Sequence, residues 1–335
     1  MRLLLTVIPA IICITNANAQ FDMQMTNYWA AIGYLNPAYA GQTETLDATA
    51  LTRMQWLGIT NAPKSTVVTV SMPYELMGHK HGLGGKMYSD KAGLFSVSMF
   101  AGQYAWTKKM LKGTLRAGLE IGQINQTFDG TKIEIPEDEY HQQTDQAIPT
   151  SLVNGKSIDA SLGIIFTQKK WFAGISVAHL LAPKIDLTET NIYEIPRTYY
   201  LVNGYNIILN NPLLELRPMI ILKTMEMSAL YLESDSNKTE TNNLKAMMRN
   251  SQIDASVRLH YNDRFWAGLT WRNGDAIGVM LGMKIKMLEA GYAYDFPISV
   301  LRSESTGSHE LFLRYRIDIN LKKKKKDKHK SVRFL

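Results

Sequence analysis

Few stretches of this 335-residue chain combine side chains able to do chemistry together. His79-Lys80-His81 sets two imidazoles at metal-capable spacing. Two histidines without a third ligand hold a metal weakly, and a polar turn accounts for them. Ser308-His309-Glu310 has the residue types of a hydrolase. Adjacent residues point to opposite sides of a strand, so these three cannot converge into a nucleophile, base and acid relay. The glycines of His81-Gly82-Leu83-Gly84-Gly85 precede no helix, which leaves a phosphate-cradling loop unsupported; glycine in a strand more often marks a bend. Cys13 is the only cysteine and follows Ile12, too large for a lipidation box. No constellation amounts to an enzyme, and no catalytic residue, metal or cofactor is expected.

The two ends of the chain are compositionally distinct. Arg2, the apolar run Leu3 to Ile14, and Ala17-Asn18-Ala19 before Gln20 read as a secretory signal over residues 1–19. Cys13 falls inside it, so the mature chain is expected to have neither a disulfide nor a thiol nucleophile. At the other end lie Lys322, Lys323, Lys324, Lys325, Lys326, Lys328 and Lys330. With Arg333 they make eight of the chain's 37 lysines and arginines, against one of its 30 acids. The body between is near neutral. Such a run reads as a solvated appendage or an electrostatic handle for anionic partners. In an exported protein nucleic acid is not expected among them.

Between the ends the dominant period is two. Ile158, Ala160, Leu162, Ile164 and Phe166 share one parity; Ser157, Asp159, Ser161 and Gly163 share the other. Ile253 to Tyr261 alternate with Gln252 to His260, and Leu311 to Ile319 with Glu310 to Asp318, Phe312 excepted. This is the pattern of strands with one apolar and one polar face. Strands are expected near 45–55, 64–73, 82–90, 93–104, 111–124, 156–167, 170–180, 197–209, 213–224, 250–261, 263–272, 275–284, 287–296 and 308–319. These make about fourteen, each near the length of a tilted membrane strand. No apolar run after the first twenty residues is long enough for a spanning helix.

The connections sort by length. Alternate ones, at Tyr74–His81, Ala105–Met110, Gln168–Lys169, Asn210–Pro212, Asn262 and Ile285–Lys286, are short. The others include every long one: 125–155, 181–196, 225–249 and 297–307. Long loops on one side only are the habit of outer-membrane barrels. The expectation is therefore an all-β, transmembrane antiparallel barrel over 45–320. Residues 20–44 would form an N-terminal periplasmic segment and 321–335 a basic periplasmic tail. Tyr28, Trp29, Tyr74, Trp106, Trp171, Phe172, Phe265, Trp266 and Tyr294 are expected near strand ends as interfacial girdles. The polar parity, facing the lumen, mixes Glu120, Asp159, Asp254, Glu310 and Asp318 with Arg116, Arg258, Arg314 and Arg316. Cross-paired, these groups would lock or narrow the lumen; independently solvated, they would line a watery bore.

Several motifs, in order from about residue 24 to 319, resemble the PorP/SprF family of type IX secretion outer-membrane proteins of Bacteroidetes. They are Asn36-Pro37-Ala38-Tyr39-Ala40-Gly41, Arg53-Met54-Gln55-Trp56-Leu57-Gly58-Ile59 and Ala62-Pro63-Lys64-Ser65. Gly82-Leu83-Gly84-Gly85 with Asp90, and Asp263-Arg264-Phe265-Trp266-Ala267-Gly268 with Arg272, follow. Gly291-Tyr292-Ala293-Tyr294-Asp295 with Gly307-Ser308-His309-Glu310 closes the series. The resemblance implies a non-enzymatic barrel cooperating with the PorK/PorN ring, the PorL/PorM motor, the PorE lipoprotein and the Sov/SprA translocon. It also implies dealings with the C-terminal domains of secreted cargo. The lysine tail and the long middle loops are not part of that pattern.

Physically, Pro37 and Gly41 bracket a tight segment, with Tyr39 expected on the periplasmic rim. Trp56 and Pro63 bound the first outer loop. Tyr292, Tyr294, Asp295, His309 and Glu310 flank the last one; their polar groups either form one hydrogen-bonded cluster holding it over the bore or make ordinary packing contacts. Two classes remain: an adaptor embedded in outer-membrane lipid, both termini periplasmic, or a porin or transporter of hydrophobic substrates. For the second, residues 20–44 look short for a hatch.

Overall fold

The computed structural model describes residues 22–133, 149–187, 192–226 and 251–319. The expected signal, residues 1–19, and the lysines Lys322 to Lys330 of the tail lie outside the described residues.

Alternating residues over fourteen stretches give fourteen antiparallel barrel strands. The first seven are β1 Thr45–Met54, β2 Lys64–Leu76, β3 His79–Ala92, β4 Phe95–Met110, β5 Gly113–Asp129, β6 Leu152–Thr167 and β7 Trp171–Ala178. The second seven are β8 Thr198–Tyr205, β9 Leu214–Met225, β10 Ser251–Tyr261, β11 Phe265–Arg272, β12 Ala276–Ile285, β13 Leu288–Pro297 and β14 Ser308–Asp318. Each pairs with its sequence neighbours, and β14 pairs with β1 from Thr45↔Asp318 to Met54↔His309. The ring is closed. No lateral edge is left for a bilayer that offers no hydrogen-bond partner.

Two hairpins run further than the periodicity suggests. Pairing passes through Tyr74–His81 to Leu76↔His79, and through Ala105–Met110 to Met110↔Gly113. Met77-Gly78 and Leu111-Lys112 all have positive φ, the two-residue turn whose twist suits an antiparallel hairpin. The expected eighth strand is interrupted at Asn206, after which Ile207–Ile208 pair briefly with β9.

The two faces separate as the alternation requires. Outward positions carry residues such as Phe100 (66% exposed) and Leu281 (57%), while Arg53 and Glu310 on the inner face are each 1% exposed. The outward apolar surface is buried in lipid. Long connections cluster at one end and two- to eight-residue turns at the other. A short hairpin, Lys184–Asp186 with Ile192–Glu194, folds over the long-loop mouth. Its Tyr193 stacks on Phe95, 5.9 Å between centroids, and Ile185 is fully buried.

Residues 22–41 overturn the expectation of a periplasmic segment too short for a hatch. They run lengthwise through the ring, with Met23, Met25, Tyr28, Ala31 and Leu35 all buried. The path begins at the long-loop end, where Thr26 and Asn27 bond to Glu310 of β14. It leaves near the short-turn end, where Arg116 of β5 takes the Ala38 carbonyl. The first described residue therefore lies at the long-loop end, not on the short-turn side expected for both termini. Apart from the four-residue helix Ile32–Leu35 and the 3-10 turn Pro37–Tyr39 it is irregular. Its backbone polar groups are therefore met by wall side chains.

Candidate functional site

At the long-loop end the plug is held by charge. Glu310 accepts from the backbone N–H of Thr26 (2.7 Å) and Asn27 (2.5 Å), and from the Asn27 side-chain amide (2.9 Å). The Thr26 hydroxyl donates to Asp295 (2.6 Å) and accepts from Arg53 (2.8 Å). Arg53 bridges the two acids, 2.7 Å from Asp295 and 3.4 Å from Glu310. Arg272 reaches Asp295 (3.4 Å), Asp254 (3.3 Å) and Asp275 (3.1 Å), and donates to the Met25 carbonyl (3.1 Å). These groups come from four strands, β1, β10, β11 and β13, joined by β14 and one turn. Arg53 and Glu310 face each other across the closing pair β1–β14. Asp22 adds a second anchor. Its carboxylate accepts from the hydroxyls of Tyr34 (2.5 Å) and Tyr200, and Lys223 donates to its backbone carbonyl (3.2 Å).

Mid-bore, Trp29 sits edge-on to Trp266 and Phe312 at 5.0 and 5.2 Å, under the Arg258 guanidinium at 3.8 Å. Glu120 gathers Lys86 (2.7 Å), Gln103 (2.5 Å) and Ser161 (3.0 Å), and Gln103 also donates to the Gly33 carbonyl (2.8 Å). Glu120, Asp254, Glu310, Arg116, Arg258 and Arg314 are thus bound to wall partners or to the plug, Asp159 to His179 and Arg316 to Asp47, while Asp318 at the strand end is exposed. Of the two lumen readings, the locked one holds.

At the short-turn end the plug is held by fit. Asn36 caps the Pro37–Tyr39 turn by accepting from Ala38 N–H (2.9 Å), while its amide donates to the carbonyls of Ile164 (3.3 Å) and Ile175 (3.0 Å). Arg116 donates to the carbonyls of Ala38 (2.9 Å) and Ala40. The wall facing this segment has glycine where the chain touches it. A Cβ on Gly118 would lie 2.2 Å from Ala38 N, and one on Gly163 2.0 Å from Asn36 Oδ1. These glycines are clearance for a second backbone, not bends. Gly41 has φ +61°, turning the chain out of the bore against the Met72 carbonyl. Tyr39 lies inside near this end, edge-on to Phe172 at 6.3 Å, with its hydroxyl buried and no partner among the described residues.

Gln55, Trp56, Gly58, Pro63 and Gly307 knit the first long-end connection to the last. Gln55 N–H donates to Pro63 O (2.9 Å), Trp56 N–H to Ser308 Oγ (3.1 Å) and Leu57 N–H to Gly307 O (2.8 Å); Gly58 has φ +102° beside the Glu304 carbonyl. A single cluster around the last loop does not form, because the pleat splits these residues in two. Asp295 and Glu310 point inward to the plug. Tyr292, Tyr294 and His309 point outward, with Tyr292 Oη 2.6 Å from His309 Nδ1 and Tyr294 donating to the Thr306 carbonyl. His81 is likewise outward, stacked between Tyr74 (5.2 Å) and Tyr104 (5.8 Å). Of the expected girdle, Tyr74, Trp106, Trp171, Phe265 and Tyr294 lie on outward positions. Tyr28, Trp29, Phe172 and Trp266 turn inward, the first two belonging to the plug.

At the short-turn rim a hollow of about 890 Å3 opens between the plug's exit, Gly41–Glu44, and the long β2–β3 and β4–β5 hairpins. Lys80 pairs with Glu44 across it, while Lys108 and Lys109 have no acidic partner among the described residues. The sequence reading missed Thr26, Asn27, Gly118 and Gly163, and did not give Arg272 its role. The one signal present was glycine recurring on the inward parity of neighbouring strands, at Gly82, Gly84, Gly118 and Gly163.

Residues 17–315 match the profile of the family described as type IX secretion system membrane protein PorP/SprF. No curated protein matches the sequence. Similar solved structures include a Pseudomonas aeruginosa FadL homologue, at 9% identity over 91% of this chain and 100% of that one, TM-score 0.48. The Pseudomonas putida toluene transporter TodX matches at 9% identity over 92% and 98%, TM-score 0.47. Acinetobacter baumannii Omp33 matches at 4% identity over 82% and 98%, TM-score 0.42.

Proposed function

For a chain that belongs to the PorP/SprF family of type IX secretion system membrane proteins, we propose the role of a non-enzymatic docking adaptor in the outer membrane. The long-loop end faces outward and the short-turn rim faces the periplasm. There the rim hollow and the basic tail Lys322–Lys330 meet the PorK/PorN ring, the PorE lipoprotein or the C-terminal domains of cargo on their way to the translocon. The observation that carries this reading is the plug. A bore traversed from end to end by residues 22–41, which wall ion pairs hold in place, suits a scaffold better than a conduit.

Lys108 and Lys109 at the rim, together with the tail, give that end a cationic surface suited to acidic partner faces. Attraction of this kind is screened by salt over about 8–10 Å. Deleting 321–335 is therefore expected to leave the barrel inserted but to weaken co-purification of periplasmic partners, more so as salt rises. Undiminished capture of every partner by the truncated protein would count against the tail. A stable, substrate-sensitive current through the wild-type protein in planar bilayers would replace the adaptor by a transporter.

A further inference from the structure

The geometry points to a binding site for a phosphorylated outer-leaflet glycolipid on the outward wall of β2–β6, at the long-loop end. The outward residues of this wall change character abruptly. One cross-strand row reads Val68, Met87, Phe100, Gln123, Ile158 and is largely apolar. The next row towards the long loops reads Thr66, Ser89, Ser98, Asn125, Lys156 in direct register, a continuous band of hydroxyl, amide and ammonium groups. One row further, Lys64 and Lys91 stand directly opposite each other. On the other wall the outward positions at the same end are interrupted by apolar and aromatic residues, Tyr199, Ile253, Trp271, Ile277 and Phe296; Thr224 and Ser251 are polar there, but no lysine stands among them.

Three features suit this band to an anionic headgroup. Like charges directly opposed on one face of a sheet repel, and an anion between them removes the penalty. Lys64, Lys91 and Lys156 are exposed and have no acidic partner among the described residues; Asp129, the outward acid further along β5, is already held by Lys132 at 2.5 Å. Finally, a hollow of about 410 Å3 straddles the boundary, with Val68, Met87 and Phe100 on its apolar side and Ser89, Ser98 and Lys156 on its polar side. An acyl chain fits the first, and a phosphate held by lysine and hydroxyl donors fits the second. The choice of a glycolipid of the outer leaflet rests on the outward orientation of the long loops proposed above.

The test uses the full-length protein in nanodiscs and three probes: diphosphorylated lipid A, the same lipid with its phosphates removed, and phosphatidylglycerol. The expected result is that lipid A binds about tenfold more tightly than its dephosphorylated form. That preference should disappear in the triple variant Lys64→Ser, Lys91→Ser, Lys156→Ser, whose exposed side chains carry no folding contact. Equal binding of both lipid A forms, or an unchanged preference in the triple variant, would overturn the site. A preference for phosphatidylglycerol would overturn the glycolipid assignment. Orientation is read separately by labelling Ser303→Cys, exposed in the last long-end connection and away from the band, in intact cells with a membrane-impermeant maleimide. A protected thiol there sinks the outward orientation whatever the lipids do.

Discussion

The two ends of the bore hold the same twenty-residue plug by different physics. At the long-loop end Arg53, Arg272, Asp295 and Glu310 clamp Thr26 and Asn27 through directional, charged bonds. At the short-turn end the Asn36–Gly41 segment lies directly against strands that have no side chain where it touches them, with Arg116 and Asn36 satisfying the remaining polar groups. A charged clamp can be undone by removing one partner or one charge. A steric cradle can be undone only by adding volume. The difference makes the long-loop half of the plug the releasable one and the short-turn half its fixed root.

The sharpest way to break that contrast is to fill the cradle. Gly118→Leu with Gly163→Leu puts carbon atoms inside the van der Waals radius of the plug at two places, where ordinary overpacking already costs about 1–3 kcal/mol per site. The expected outcome is an unseated root, seen as protease sensitivity at residues 36–41 and as channel current above that of the wild type. Next comes Arg53→Ala. It leaves Asp295 and Glu310 buried with less compensation, a change worth about 3–5 kcal/mol. Denaturant unfolding should register that loss. A thiol at Thr26→Cys, made unique by Cys13→Ser, should become reactive in the Arg53→Ala background while the same reporter at Ala38→Cys stays protected. If both react equally, the two ends are one unit and the contrast fails.

A smaller effect is expected from Asp22→Asn. The carboxylate accepts from the hydroxyls of Tyr34 and Tyr200, and the amide keeps its shape but not its charge. The variant should therefore lose about 1.5–3 kcal/mol in denaturant unfolding; an unchanged stability would mean the carboxylate charge is not what anchors Asp22. Smallest is Tyr39→Phe. Its hydroxyl is buried without a partner at the cradle end, so removing it should raise stability by about 1 kcal/mol. A loss instead would show that the cradle depends on polar contact after all.

Much of the wall could be read in advance because it repeats. Ile158 to Phe166 against Ser157 to Gly163, and Leu311 to Tyr315 against Glu310 to Arg316, each declare which side chains meet lipid and which meet the lumen. The strand order then fixes which connections share an end. The clamp was half legible: Arg53, Asp295 and Glu310 belong to recognisable motifs, but nothing local shows that they close on Thr26. His309 and Glu310 show the limit well, since one residue's difference in parity sends the first to the lipid face and the second to the plug.

Alternation is a local property of the backbone, so the sequence alone determined the strands, their inner and outer faces and the closed ring they must form in a membrane. Residues 22–41 carry no period, because an irregular segment satisfies its backbone through side chains distant in sequence. Only the tertiary structure decided that this segment fills the bore, that Gly118 and Gly163 are clearance for it, and that the lumen charges bind plug and wall together. Each of those depends on which surfaces come within a few ångströms once the ring has closed.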